Sequence, residues 1–182
     1  MRERMYLFDT TLRDGAQTNG VDFTLADKLA ITAMLDDIGV DYVEGGYPGA
    51  NPTDTQLFSE ERKLNTTFTA FGMTRRPGRS TSNDPGLAAL LEAKADAICF
   101  VAKSWDYHVR VALETTLEEN LASIRDSVKC RRLIESPWYK GLWGSRFVLT
   151  SDQNTKGRFT NSRGGERLIT SIGGWILTMR NT

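Results

Sequence analysis

A cation and a carboxylate stand side by side near the start of the chain, within the segment Phe8–Gln17. Arg13 offers a fixed positive charge for a developing enolate or alkoxide oxygen, and Asp14 offers a hard oxygen ligand for a divalent metal. Gln17 follows one helical turn later, within reach of a substrate carboxylate or carbonyl. An isolated Arg-Asp pair is most often a solvated surface pair. Its chemistry therefore depends on the structural elements that hold it.

The segments that must position these residues alternate between short apolar strands and helices. Four apolar runs predict strands: Met5–Phe8, Val40–Glu44, Phe68–Gly72 and Ala97–Val101. A helix is predicted after each run: one from a Thr24 cap to Gly39, one over residues 53–64, one opened by Asp84-Pro85 and one over Leu117–Val128. Four βα units in about 130 residues predict a parallel sheet covered by helices.

The Arg13–Asp14 pair follows the first predicted strand, at the carboxyl end of the predicted sheet. Parallel α/β folds build their sites at that end. The strand–helix pattern alone does not separate a (β/α)8 barrel from an open doubly wound sheet. No Gly-x-Gly-x-x-Gly loop follows the first strand, which argues against a dinucleotide-binding fold. The chain has 182 residues, whereas a complete barrel typically needs about 250.

Residues 131–182 differ sharply in composition from residues 1–130. The first part carries a net charge of −6 and the second a net charge of +6, and three of the four tryptophans lie in the second. Glycine and arginine are frequent there, and no segment keeps a helical apolar period for three turns. We therefore predict a boundary at residue 130, between the N-terminal half of a barrel and a basic, irregular, poorly ordered tail.

The overall composition argues against several classes of protein. No apolar run approaches the length of a membrane span, and Met1–Arg4 leads into a strand rather than into the apolar stretch of a signal peptide. Cys99 and Cys130 form neither a disulfide framework nor a zinc motif. We expect a reduced, cytoplasmic protein with no membrane partner.

Four strand ends carry motifs that together resemble one enzyme family. They are Asp-Thr-Thr-Leu-Arg-Asp-Gly-Ala-Gln at 9–17, then Val43–Pro52, Phe71–Arg76 and Lys103–Val109. Over about residues 2–130 the chain resembles the isopropylmalate, homocitrate and citramalate synthases, a family related to hydroxymethylglutaryl lyase, and it is most similar to the citramalate branch. The resemblance implies a partial (β/α)8 TIM barrel of about four βα units.

The resemblance also implies a reaction. It indicates an acyltransferase that joins acetyl-CoA to a 2-oxo acid, which is pyruvate in the citramalate branch and another 2-oxo acid in the isopropylmalate or homocitrate alternative. In the reaction of that family a divalent metal (Mn, Mg or Zn) chelates the 2-oxo acid, and a base removes a methyl proton from the thioester. The enolate then attacks the carbonyl, and thioester hydrolysis releases CoA. The intact family is homodimeric, and no nucleic-acid partner is expected.

Roles carry over from the family one position at a time. The resemblance implies that Asp14 is a metal ligand and that Arg13 polarises the 2-oxo acid carbonyl and the aldol alkoxide. It implies that Gln17 contacts the substrate and that Glu44 orients Arg13 or a water molecule. His108, the single histidine of the sequence, is either a substrate-facing residue or a histidine on the barrel rim.

The chain departs from the family pattern in its metal ligands. The family uses a His-x-His pair and a downstream asparagine, and this sequence contains no His-x-His. One carboxylate is a poor site for a divalent metal. Three hypotheses remain: a frameshift or mis-joined gene after about Cys130, a half-barrel enzyme that dimerises or borrows ligands, and a non-enzymatic interaction module. We favour the first, in which this polypeptide alone has little or no activity.

Overall fold

A computed structural model describes residues 6–130 and, beyond them, the backbone of four strands at 147–151, 157–160, 166–172 and 176–179. Strands β1 to β4 are Tyr6–Asp9, Tyr42–Gly46, Thr67–Met73 and Ala97–Ala102. Helices α1 to α5 are Leu25–Ile38, Pro52–Ser59, Pro85–Glu92, Asp106–Val111 and Leu117–Cys130. A 3-10 turn at Gly15–Gln17 follows β1. The four βα units predicted from the sequence are confirmed.

Strands β1 to β4 lie side by side in chain order and are parallel. Phe8 of β1 lies opposite Tyr42 of β2, and Phe71 of β3 lies opposite Cys99 of β4. All four carboxyl ends therefore meet at one edge of the sheet. With α1, α2, α3 and α5 following them in turn, these strands form half of a (β/α)8 barrel.

Side chains of the half-barrel alternate between two packed faces. The face toward the helices buries residues such as Val43, Phe68 and Phe100 against Leu57 and Leu90. The inner face carries a second cluster, whose members are Phe8, Tyr42 and Cys99, with Tyr6 and Phe71 packed on it. Alternation along β2 places Glu44 on the inner face, because it stands two residues after Tyr42. The sheet thus directs a carboxylate into an interior that is mostly apolar and aromatic, with the buried Thr69 opposite it.

Four strands are described in the tail: β5 (Phe147–Ser151), β6 (Gly157–Thr160), β7 (Glu166–Ile172) and β8 (Ile176–Met179). Strand β5 extends the parallel sheet beside β4, whereas β8 pairs antiparallel with β1. The open edges of the four-stranded sheet offer unpaired backbone groups, so short runs with β-propensity suffice to extend it. The antiparallel pairing with β1 is not a (β/α)8 feature.

Helix ends follow local chemistry that is largely readable from the sequence. Thr24 and Asp27 form a capping box at the start of α1, and Gly39 ends that helix with a φ of 86°. The predicted second helix is too long: α2 ends at Ser59 because the Arg62 side chain, rather than a further helical turn, satisfies the carbonyl of Leu57.

A short helix, α4, was not predicted, since six residues are too few for a periodic pattern. In the part of the chain that the structure describes, no helix has the length and apolar character needed to cross a membrane.

Candidate active site

Arg13 stands in the turn that follows β1. The backbone amides of Arg13 and Asp14 both donate to the carbonyl of Thr10, at 3.1 and 2.8 Å, which closes the turn tightly. Leu12 is fully buried and anchors the turn in the core. The next side chain, that of Arg13, is thereby directed away from the helices and along the carboxyl edge of the sheet.

Three groups hold the guanidinium of Arg13. Its Nε donates to Oε2 of Glu44 in a short ion pair, and its Nη1 and Nη2 lie 2.5 and 2.9 Å from the two oxygens of Asp14. Its Cζ lies 3.9 Å from the ring centroid of Phe71, in a cation–π contact. The guanidinium is therefore fixed on two sides by carboxylates and on one face by an aromatic ring.

Glu44 is the buried partner of this cluster. Its side chain is 1% exposed, whereas those of Arg13 and Asp14 are 19% and 43% exposed. Burial raises the pKa of Glu44 above its ordinary range, and the charge and hydrogen bond of Arg13 oppose that shift. Oε1 of Glu44 has no hydrogen-bond partner within the described part of the chain. The thiol of Cys99 also hydrogen-bonds this carboxyl, and the open Oε1 is suited to a further donor, such as a ligand hydroxyl or water.

The cluster leaves donors available to a ligand. Among the described residues, contacts to Glu44 and Asp14 engage three of the five N–H donors of Arg13. The two remaining N–H groups can bind an oxygen that gains negative charge, because the guanidinium is already oriented before a ligand arrives. Glu44 contacts Arg13, and its role in orienting Arg13 or a water molecule stays a prediction.

The structure does not bring the other two candidate residues into this cluster. Gln17 ends the 3-10 turn and its side chain is exposed. His108 lies in α4 at the end of β4, where its ring packs 4.6 Å from that of Trp105 and 6.3 Å from that of Tyr107. Both residues lie after carboxyl ends of strands, and their contact with a substrate stays a prediction.

Sequence comparison identifies the family. Residues 4–143 match the HMGL-like family, which is most of the chain and runs past residue 130, where the sequence predicts a boundary. The chain belongs to the HMGL-like family.

The most similar relatives include two (R)-citramalate synthases. That of Aquifex aeolicus is 48% identical over 132 residues, covering 71% of this chain and 25% of the relative. That of Streptomyces coelicolor is 51% identical over 130 residues, covering 69% and 24%. A 2-isopropylmalate synthase of Bradyrhizobium diazoefficiens is 31% identical over 146 residues, covering 80% and 28%. The chain spans about a quarter of the length of these relatives.

Solved structures with a similar fold include two HMG-CoA lyases. The lyase of Brucella melitensis superposes with a TM-score of 0.58 at 17% identity, covering 81% of this chain and 49% of that one. A lyase of Acinetobacter, solved with coenzyme A and 3-methylmalate, superposes with a TM-score of 0.57 at 14% identity, covering 81% and 44%. These likenesses concern the fold.

The described residues of this HMGL-like chain do not complete a divalent-metal site. Asp14 is a possible ligand, but both of its oxygens contact Arg13. No group of three or more His, Cys, Asp or Glu side chains able to hold a metal occurs in the part of the chain that the structure describes. A divalent ion usually takes several protein ligands, so these residues alone do not fit one.

Sequence reasoning missed two residues next to the site, Lys28 and Asp54. Both are buried and they form an ion pair. One signal could have shown the first: Lys28 falls between Leu25 and Leu29, on the face of α1 that the apolar spacing turns toward the core. A lysine on that face needs a buried partner, whereas nothing local indicates that the partner lies on α2.

Proposed function

We propose that this chain is the first half of the catalytic barrel of an acyltransferase of the citramalate synthase type, which condenses acetyl-CoA with pyruvate. The observation that carries the proposal is the fixed guanidinium of Arg13 at the carboxyl edge of the parallel strands, held by Glu44, Asp14 and Phe71. Relatives support the substrate: (R)-citramalate synthases are 43–51% identical and 2-isopropylmalate synthases 31–34%.

The proposed work of Arg13 is to stabilise negative charge on oxygen. Its two remaining N–H donors bind the carbonyl oxygen of the 2-oxo acid and retain it as it becomes the aldol alkoxide. Because Glu44 and Asp14 orient the guanidinium beforehand, little reorganisation accompanies the reaction. Removing one donor of this kind typically costs a factor of about 10² to 10³ in rate.

The family's reaction needs a divalent metal, and residues other than Asp14 would have to supply most of its ligands. Asp14 supplies one ligand side chain, and the described residues contain no group of three or more His, Cys, Asp or Glu side chains that could hold a metal. We therefore propose that the 182-residue polypeptide alone has little or no synthase activity. The alternative is a non-enzymatic remnant of the barrel that serves as an interaction module, and a lack of condensing activity in the test below would favour it.

A chimera tests the proposal. Residues 1–130 of this chain replace the matching segment of the Aquifex aeolicus (R)-citramalate synthase, which is 48% identical over 132 residues. The assay measures release of CoA from acetyl-CoA in the presence of pyruvate or of a branched 2-oxo acid. We expect release that depends on pyruvate, and a loss of about 10² to 10³ in kcat/KM for Arg13→Met.

Arg79→Met is the matched control in the same chimera. Arg79 is an exposed cation whose guanidinium donates to the carbonyl of Asn83 on the loop before α3. It should leave kcat/KM unchanged. Preference for the branched acid would favour the isopropylmalate alternative, and a folded chimera that releases no CoA with either acid would refute the enzyme proposal.

A further inference from the structure

Lys28 places a buried ammonium directly behind the Arg13 cluster. Its side chain is 3% exposed. Its Nζ lies 2.8 Å from the carbonyl oxygen of Leu12 and 3.3 Å from that of Gly45, and it forms a short ion pair with Oδ1 of Asp54. An ammonium has three N–H donors, and these three acceptors use all of them. The group is fully satisfied without water.

The two carbonyls belong to the immediate neighbours of the site residues. Leu12 precedes Arg13 in the turn after β1, and Gly45 follows Glu44 in the last part of β2. The ammonium therefore joins the turn that carries Arg13 to the strand that carries Glu44. The last pair of residues described between β1 and β2 is Asp9 with Val43. Backbone pairing between these strands therefore does not extend to Arg13 and Glu44.

Asp54 extends the same network to α2. Its Oδ2 accepts the backbone N–H of Tyr47 at 2.8 Å, immediately after β2. A Cβ built on Gly46 would lie 2.3 Å from Cγ of Asp54, so the carboxylate reaches the strand end only because residue 46 has no side chain. Helices α1 and α2 thus approach the strand ends through one ion pair.

We infer that Lys28 is a positioning residue for this site: by binding the carbonyls of Leu12 and Gly45 together, it sets the distance between Arg13 and Glu44. The meaning of that distance for catalysis rests on the function proposed above. Lys28 acts through Arg13 and Glu44 and does not itself meet the substrate.

A positioning role can be separated from a contribution to stability. Removing one partner of a buried ion pair leaves an unpaired buried charge, which is strongly destabilising, whereas removing both charges together avoids that cost. The double variant K28M/D54N removes both charges together, and the amide oxygen that D54N introduces can still accept the N–H of Tyr47. The bridge between Leu12 and Gly45 is lost without leaving a buried charge unpaired, and the cost of the two carbonyls that lose a donor is read from the unfolding experiment.

The experiment measures solvent exchange of the Arg13 Nε–H by NMR on the full chain, with the signal assigned through Arg13→Lys. Urea unfolding is followed in parallel. The matched control is Arg62→Met, which removes another partly buried cation that binds two carbonyls, those of Leu57 and Lys94, away from the site. We expect exchange about tenfold faster in K28M/D54N, equivalent to about 1.4 kcal/mol, and a change below about twofold in R62M.

Two results would overturn the inference. One is an Arg13 Nε–H that exchanges at the wild-type rate in a folded K28M/D54N protein. The other is a double variant that does not fold, because Lys28 would then act in folding rather than in positioning. This readout needs no catalysis, so a chimera without synthase activity would refute the proposed function and leave the positioning result standing.

Discussion

At the scale of single residues, the site depends on one carboxylate that the fold buries. The resemblance implies a role for Glu44, but only the structure shows that its side chain is almost fully buried beside Arg13. The alternation of β2 explains the burial, because Tyr42 and Glu44 share the inner face. The sequence pattern of β2 could not indicate which face of the strand points into the barrel, because the strand is buried on both faces.

The raised pKa of Glu44 predicts a definite dependence of stability on pH. A raised pKa means that the folded state favours the protonated form, so the stability from this shift is present below the ordinary value of 4.5 and is lost as the pH rises through the folded pKa. As the pH rises from 4.5 through the folded pKa, we expect the free energy of unfolding of the wild type to fall relative to that of Glu44→Gln. Urea unfolding at a series of pH values measures it.

Glu118→Gln provides a control of opposite sign. Hydrogen bonds to the Glu118 carboxylate, from its own backbone amide and from Thr116, lower the pKa of that exposed group. Its contribution is therefore present above 4.5 and is lost as the pH falls. A difference between wild type and E44Q that did not change with pH would contradict the assignment.

At the scale of elements, local signals predict the βα units and miss the contacts between them. The Thr24–Asp27 capping box and the Asp84-Pro85 start are encoded within a few residues, so α1 and α3 begin where expected. The Lys28–Asp54 pair spans 26 residues of sequence, and no local rule selects its partner. Strands β5 and β8 pair with sheet edges built elsewhere in the chain, so their partners do not follow from local composition.

Arg75, which follows β3, should make the main polar contacts between the end of that strand and α5. It is 7% exposed, and its guanidinium binds Glu119 at 2.7 Å and Asp126 at 2.8 Å. We expect Arg75→Met to lower the free energy of unfolding by roughly 1–3 kcal/mol, because charged hydrogen bonds are lost from a buried donor. Chemical denaturation measures the change.

Arg110→Met serves as the comparison for this prediction. Its ion pair with Asp106 is long, at 3.4 Å, and exposed, so its loss should change stability by less than about 1 kcal/mol. If the two variants lost equal free energy of unfolding, the burial of Arg75 would add nothing to the strength of its ion pairs.

At the scale of the whole molecule, the half-barrel has edges that the tail strands cover. Strand β5 lies beside β4, and β8 lies beside β1. Shortening the chain to residues 1–130 would uncover both edges of the parallel sheet, which invites association between copies. We expect the shortened chain to self-associate at concentrations where the full chain does not, as measured by light scattering. A monomeric shortened chain would show that the tail strands do not protect the sheet.

The incomplete ligand set makes a second prediction at this scale. Titration of the full chain with Mn²⁺ by calorimetry should show no tight stoichiometric site, since Asp14 alone cannot hold a divalent ion well. Asp14→Asn should give the same isotherm as the wild type. A tight site lost in D14N would instead support a half-barrel enzyme that completes its ligands from residues outside those described.

The contact between Gly46 and Asp54 limits how the sequence around the site can change. A Cβ at position 46 would meet the Asp54 carboxylate at 2.3–2.6 Å, and that carboxylate neutralises Lys28. Gly46→Ala is strained by the backbone φ of 147°, and it additionally requires that position 54 has already become smaller, which in turn requires a neutral residue at 28. Substitutions at positions 28, 46 and 54 can therefore accumulate only in particular orders. In a library selected for folding, they should show strong epistasis, although position 28 lies 18 positions before position 46 in the chain.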